Sequence, residues 1–347
     1  MKFKKRIFYA VIILLLLFVA NIFISTGFFR TIENSFDGKI LKKIHIVGAE
    51  DITISKKDSF AIISSTDRKE FPKTKQEIGG LYFINLKNDE FKTIHLTKDF
   101  KKPFAPHGIS IYQKDSVTTI AAINHTLEGE FIEIFTLFNE KITHQKTIKN
   151  KLIFSPNDIV LIDENRFYFT NDHKYKDGFG RISEDYLGVA MSNVVYFDGQ
   201  DFKEVARDIA YANGINIDTK RKLVFVASPR KFLVKVYEKN EDGTLNFIED
   251  IDCKTGVDNI EFDDEDNLWI GAHPNLLHFA AYAKGDENIS PSEIIKIEYH
   301  KKGNYNIKQI YMEDGSNMSA STVAAPFKNL IFVGNVMDNN LLVLEKN

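Results

Sequence analysis

A single cysteine, Cys253, stands in a chain of 347 residues. No internal disulfide can form, and the fold must rest on its core. Cys253 follows a strand-like stretch and reads as a buried small hydrophobe rather than a nucleophile. Neither sign of charge dominates: 45 Lys and Arg against 48 Asp and Glu leave a formal net charge of -3. That balance provides no electrostatic footprint for nucleic acid. The phosphate-cradling G-x-x-x-x-G-K-[ST], the dinucleotide glycine fingerprint and the G-x-S-x-G elbow are all missing, which argues against nucleotide enzymes and serine hydrolases. No Pro- or Gly-rich linker divides the chain, and helical periodicity is weak beyond its first residues.

The N-terminus carries the one long apolar run. Lys2, Lys4, Lys5 and Arg6 precede a stretch from Ile7 to Phe29 broken only by small or neutral polar residues. Its length suits a bilayer span, and the positive flank keeps that end cytoplasmic. No convincing cleavage site follows Leu17, so residues 1–30 read as an uncleaved signal anchor. The remainder, 31–347, is expected outside the cytoplasm on a single-pass membrane anchor, or secreted if the segment is cleaved. Residues 30–42 read as a lead-out from the membrane.

The rest of the chain is rich in 29 Phe and 13 Tyr, which pack well on pleated strands. A polar pair followed by a short β pattern recurs at Glu50-Asp51, His107-Gly108, Asn157-Asp158, Asn213-Gly214 and Asp258-Asn259, with a weaker copy at Ser321-Thr322. Recurrence every 45–60 residues, roughly, with a second apolar run after each copy, predicts an all-β fold: a six-bladed β-propeller behind the N-terminal hydrophobic helix. Two segments fit the repeat poorly, 174–191 and 278–290, and read as loops or short helices over one face. The acidic run 263–266 lacks the glycine and terminal glutamate of a calcium-binding loop and reads as a solvated turn.

Equivalent positions of propeller blades face one axis. Glu50, Asp51, Asp158 and Asp258 would therefore meet, and carboxylates that close away from water repel one another. A hard cation with oxygen ligands resolves the conflict, and Asn157, Asn213 and Asn259 add neutral oxygens of the right kind. Zinc would recruit His and Cys, and only His107 sits in the register. Calcium is the expected metal. Gly108 and Gly214 allow close backbone approach at the axis or mark bulges.

These residues resemble a known family. Pro106-His107-Gly108-Ile109-Ser110, Asn124-His125, Asn157-Asp158-Ile159, Ala212-Asn213-Gly214-Ile215, Val257-Asp258-Asn259-Ile260 and Gly271-Ala272-His273-Pro274-Asn275 are similar, in order, to motifs of the serum paraoxonase/arylesterase family. The resemblance implies two calcium ions in the central tunnel and hydrolysis of lactones and aryl esters, with organophosphates turned over by some members. It implies Glu50, Asn157, Asn213, Asp258 and Asn259 as ligands of a catalytic ion, and Asp51, Asp158 and the Ile109 carbonyl as ligands of a structural one. His107 and His125 match a catalytic His pair, while Tyr211, His273 and Thr322 match the substrate pocket. Asn171, Asp172 and His173 are placed at the far end of a strand from Asn157, in structural or pocket roles. The charged segment 66–70 departs from the family, as does the lack of a disulfide joining the chain ends, so closure must rest on pairing between last and first blades. Two further functions stay open on sequence alone: a metal-stabilised propeller that binds without turnover, and a sugar lactonase of the gluconolactonase type.

Overall fold

The computed structural model describes residues 2–71, 74 and 78–347. Six antiparallel sheets follow one another around an axis, five of four strands and one of five. Blade 1 runs from Ala49–Ser55 to Thr93–His95, blade 2 from Pro106–Lys114 to Lys141–Ile148, and blade 3 from Pro156–Leu161 to Phe202–Ile209. Blade 4 runs from Ile215–Asp218 to Leu245–Asp252, and blade 5 from Gly256–Phe262 to Asn304–Glu313. In blade 6 the strands Ser321–Phe327, Leu330–Asn335 and Asn340–Lys346 are completed by Gly38–His45 from the other end of the chain.

That last pairing closes the ring without a covalent bond. Lys39 lies opposite Glu345 and Ile44 opposite Leu341. The strand begins inside the segment read as a lead-out, because a ring of sheets leaves an unpaired edge that only a strand can satisfy. Ser35–Phe36 adds a fifth strand to blade 5.

The core is divided into layers between blades. Ile44, Phe332 and Val343 of blade 6 pack with Ile52 and Ile63 of blade 1. Equivalent layers join each neighbouring pair, such as Phe83 with Phe135, Phe169 with Ile123, and Tyr168 with Val226. Phe225 meets Ile270, and Trp269 meets Val333, in the remaining two. Aromatic and β-branched side chains fill these layers because both faces of an inner strand are buried. Cys253 is buried in one layer, and burial pushes its thiol up, away from a reactive thiolate.

Three helices depart from the pattern. α1 (Lys2–Ser25) is exposed along its apolar length and long enough to cross a membrane. α2 (Gly178–Leu187) and α3 (Leu276–Lys284) occupy the two segments that fitted the repeat poorly. The end of α1 is tied to α3, since Leu276 N donates to the Thr26 carbonyl at 2.9 Å. The buried Arg230 guanidinium donates to the Ser25 carbonyl at 3.2 Å.

Candidate active site and metal centre

The polar pairs open the inner strands, and the ladder is disrupted at those positions. Register shifts occur between Ala49 and Asp51, Pro106 and Ile109, Pro156 and Ile159, and Val257 and Ile260. A strand normally sends neighbouring side chains to opposite faces, whereas a bulge re-aims one of them. Glu50 with Asp51, Asn157 with Asp158 and Asp258 with Asn259 are accordingly all buried.

The blades interlock at these pairs. A Cβ on Gly108 would lie 2.5 Å from the Asn157 carbonyl and 2.5 Å from Asp158 Cα. One on Gly214 would lie 2.4 Å from the Asp258 carbonyl. Thr170 Oγ1 donates to the Asn213 carbonyl at 2.7 Å, and Thr322 Oγ1 to the Glu50 carbonyl at 2.5 Å. Asn259 Nδ2 reaches Glu50 Oε1 at 3.0 Å, joining blade 5 to blade 1.

Two groups of oxygens emerge. Glu50 Oε2, Asn157 Oδ1, Asn213 Oδ1, Asp258 Oδ1 and Asn259 Oδ1 are buried with no hydrogen-bond donor. Unsatisfied buried acceptors are costly, and a cluster of them marks a place for a cation. Two carboxylates and three amides suit a hard ion. Among the described residues no three His, Cys, Asp or Glu gather as a metal site, so the amide oxygens would have to complete any ligand set. The second group differs. Asp51 accepts from Ile52 N at 2.8 Å and Ile109 N at 2.7 Å, and Asp158 from Ile159 N at 2.7 Å and Ile215 N at 2.7 Å. Each bond ties one blade to itself or to the next.

The charges behave accordingly. Burial, with the Asp158, Glu50 and Glu261 carboxylates nearby, pushes Asp51 well up. Burial pushes Asp158 well up despite its two backbone donors, and burial with Glu50 also raises Asp258. Burial opposes the charge on Glu50, but the His107 imidazole and Arg68 guanidinium outweigh it and hold this carboxyl below its usual range. Carboxyls raised in this way need a positive partner to ionise together.

Two of the five residues, Asn213 and Asp258, line a cavity of about 610 Å³ between α2 and α3. Its floor includes Asn213, Asp258, Tyr211 and His273, and its walls include Ile182, Leu276, Leu277 and Phe279. His273 Nε2 lies 2.8 Å from Asp258 Oδ2, and its ring stacks on Phe279 with centroids 3.9 Å apart. Tyr211 packs edge-on against His173, and its phenol is pushed well up by burial. Thr322 lies beneath this layer, holding the Glu50 backbone. A second opening of about 370 Å³ at the other side of the ring is lined by Asp51, Asp158 and Glu261.

His107 and His125 meet, with Nδ1 of the first 2.8 Å from Nε2 of the second. His107 Nε2 lies 3.2 Å from Glu50 Oε1. His125 Nδ1 lies 2.5 Å from Glu130 Oε2, a residue the sequence reading passed over. Its signal was the short turn at Leu127-Glu128, which sets Glu130 directly opposite His125. Arg68 was noted only as part of a charged segment, yet its guanidinium donates to the Gly48 and Pro106 carbonyls, each at 3.2 Å, beside the site.

One placement needs correction. Asp172 is not remote from Asn157: the antiparallel hairpin pairs Pro156 with Asn171 and brings Asn157 Nδ2 to 3.4 Å from Asp172 Oδ2. A strand that runs back ends beside the start of its predecessor.

A family model described as Arylesterase matches residues 30–343. The chain is 36% identical over 242 residues to human (Homo sapiens) serum paraoxonase/arylesterase 1, covering 69% of this chain and 68% of the relative. It is 31% identical over 303 residues to serum paraoxonase/arylesterase 2 of Gallus gallus, covering 85% of each. In solved structures the fold is similar to a putative gluconolactonase, with TM-score 0.54 and 11% identity over 91% of this chain and 98% of the other. It is also similar to the calcium-binding protein regucalcin of Agrobacterium tumefaciens, with TM-score 0.53 and 13% identity over 90% and 96%.

Proposed function

The chain belongs to the arylesterase family, and from that premise we propose that it is a calcium-dependent hydrolase of carboxylic esters and lactones. The observation that carries the metal part of this reading is the set of five buried, donor-less oxygens, two of them on residues that line the cavity. Glu50, Asn157, Asn213, Asp258 and Asn259 would hold a catalytic ion, and Asp51, Asp158 and the Ile109 carbonyl a structural one. When bound, the catalytic ion supplies Lewis acidity toward an acyl oxygen and counter-charge for the oxyanion.

The chain's own residues do the rest. The apolar walls at Ile182, Leu276, Leu277 and Phe279 take the alkyl or aryl part of the substrate and exclude water from it. Tyr211 and His273 border the reacting end. His273 holds Asp258 Oδ2, which leaves Oδ1 free to turn to the site. His107 is the general base, with Nε2 turned to the tunnel beside Glu50. Water bonds to the acyl carbon as its proton passes to His107 Nε2. The acyl carbon–oxygen bond then breaks, and that proton goes to the leaving oxygen, giving an acid and an alcohol, or one hydroxy acid from a lactone. His125 orients the His107 ring through Nδ1. Organophosphate turnover is a side activity within the same proposal, since a phosphoryl oxygen presents similar charge.

α1 places the propeller on a membrane in this reading, with the site face on the side where the helix ends. The test is direct. Full-length protein in detergent is assayed on phenyl acetate and aliphatic lactones, stripped with a chelator, then returned to calcium. Activity lost and regained supports the proposal. Calcium-replete protein that turns over neither ester nor lactone, yet melts lower after chelation, would instead be a metal-stabilised binding scaffold.

A further inference from the structure

Resting on the reading of α1 as a membrane span, we propose that the site face carries a second membrane contact: a lysine cluster at the entries to blades 2 and 3 that seats on anionic lipid headgroups. Every inner strand starts on the site face, where a ligand pair opens it, so the connection leading into it lies on that face too. The connection 96–105 into Pro106–Lys114 carries Lys98, Lys101 and Lys102, and 149–155 into Pro156–Leu161 carries Lys149 and Lys151. All five are exposed. The two segments hold one acid between them, Asp99, and Glu128 of the intervening hairpin shares a recess with Lys102. Lys102 Nζ donates to Thr147 Oγ1 at 2.9 Å and Lys149 lies over the Phe131 ring, but among the described residues none of the five forms an ion pair.

The opposite face is built differently. There Lys220 meets Asp266 at 2.9 Å and Lys222 meets Glu241 at 2.6 Å. The acidic turn 263–266 lies on that face as well, because it follows an inner strand instead of leading into one. The ring therefore turns unpaired positive charge to one side and acids to the other, and such a distribution orients a body against a negative surface.

The membrane is already close to the positive side. α1 leaves from that same face, across the ring from the lysines, with Thr26 tied to α3 and Ser25 to Arg230 of blade 4. Exposed Phe28 and Phe29 follow its last turn, and Phe179 and Ile182 are exposed on α2, which Arg230 joins to α1. One edge of the face is thus apolar and the other basic. A propeller held by α1 alone can tilt, whereas a contact on the far edge fixes the face along the bilayer. Basic segments beside a span bind anionic lipid in this way, over a distance set by ionic screening. Phe154, 38% exposed within the second connection, adds an apolar group among the lysines.

The experiment uses full-length protein in nanodiscs of phosphatidylcholine alone or mixed with phosphatidylglycerol, with a nitroxide on the lipid headgroup as quencher. Cys253 is buried, so a thiol dye reports only from an introduced cysteine. A dye on Leu14→Cys in α1 is expected quenched in both discs. One on Phe154→Cys should be quenched far more in the anionic discs, with the excess gone at about 1 M salt, where the screening length is about 3 Å. One on Gln200→Cys, in a turn of the opposite face, should be quenched in neither. Lys98→Gln, Lys101→Gln and Lys151→Gln together should lower the ratio of seated to lifted protein about 100-fold, at about fivefold for each lysine near an anionic surface. The salt response of the parent needs none of these lysine variants. Equal Phe154 quenching in the two lipids, or quenching indifferent to salt and to the three substitutions, overturns the inference. So does a label that responds to a soluble polyanion such as heparin and not to anionic lipid. An unquenched Leu14 label in both discs would defeat the span reading separately, and Phe154 quenching by anionic lipid would still decide for or against the cluster.

Discussion

Adding one methyl group at Gly108 should disable the metal site from within. A Cβ there would lie 2.5 Å from the Asn157 carbonyl oxygen, 2.5 Å from Asp158 Cα and 2.6 Å from Asp158 Oδ1. Carbon atoms rest at about 3.5–4.0 Å, so blades 2 and 3 must separate by about 1 Å at this point. The atoms in the way are mostly backbone, which no rotamer change can clear. Overpacking of this kind costs about 1–3 kcal/mol, and with unfolding entropy scaling with length that corresponds to a melting-temperature loss of about 2–6 °C. The effect on calcium should be larger. Ligand distances are tolerated to about 0.2 Å, and Asn157 and Asp158 are one proposed ligand of each ion. Gly108→Ala should therefore weaken calcium binding by at least about tenfold, comparable to loss of outer-shell support. Isothermal titration calorimetry measures the affinity, and differential scanning calorimetry with and without chelator measures the stability. Gly214→Ala, whose Cβ would meet the Asp258 carbonyl at 2.4 Å and Asn259 Cα at 2.7 Å, should repeat the result from the opposite blades. Gly108→Ala protein with parental affinity and parental melting would refute the idea that close blade contact holds the ligands in place.

Three other perturbations separate parts of the structure. Asp51→Ala strands Ile52 N and Ile109 N without their acceptor; buried unsatisfied groups cost about 1–3 kcal/mol each, so chemical denaturation should show a loss of that order, whereas Asn157→Ala should remove turnover with less loss of stability. Asp263 is held at a pKa of about 2 against burial by Trp269 Nε1, the Asn267 side chain and backbone, and Lys296; its folded value lies below its unfolded one, so its stabilisation is full above the ordinary carboxylate range and lost as pH falls toward 2. Asp263→Asn should therefore lower the melting temperature at pH 6, with the gap from the parent narrowing by pH 2–3; a gap independent of pH would show that charge is not the cause. Ile44→Pro should loosen the ring at its closing strand, where Ile44 lies opposite Leu341 and proline disturbs the ladder, read as a lower urea midpoint; an unchanged midpoint would place closure elsewhere.

Much of this protein is legible from a repeat. Polar pairs at intervals near one blade's length, each opening an apolar strand, locate the inner strand of every sheet, because pleated strands alternate and propellers repeat. The helices were legible only as breaks in that repeat. The closing strand Gly38–His45 was harder to see, since its pattern is ordinary and its partner lies 300 residues away, roughly the loop length over which sequence proximity says nothing. Asp172 and Glu130 were misjudged or missed for a related reason. Both are close to their partners only because an antiparallel turn folds the chain back.

The amino-acid order by itself determined which donor atoms exist, that they are oxygens, and that they recur in one register. Only the tertiary structure decided which of them are spare. Asp51 and Asp158 accept from backbone N–H groups within and between blades, whereas Glu50, Asn157, Asn213, Asp258 and Asn259 each keep an oxygen that no donor reaches. The physical reason is that hydrogen-bond satisfaction depends on where neighbouring backbones lie, to within a fraction of an ångström. Side-chain identity names an acceptor; the packing of six blades determines whether anything donates to it.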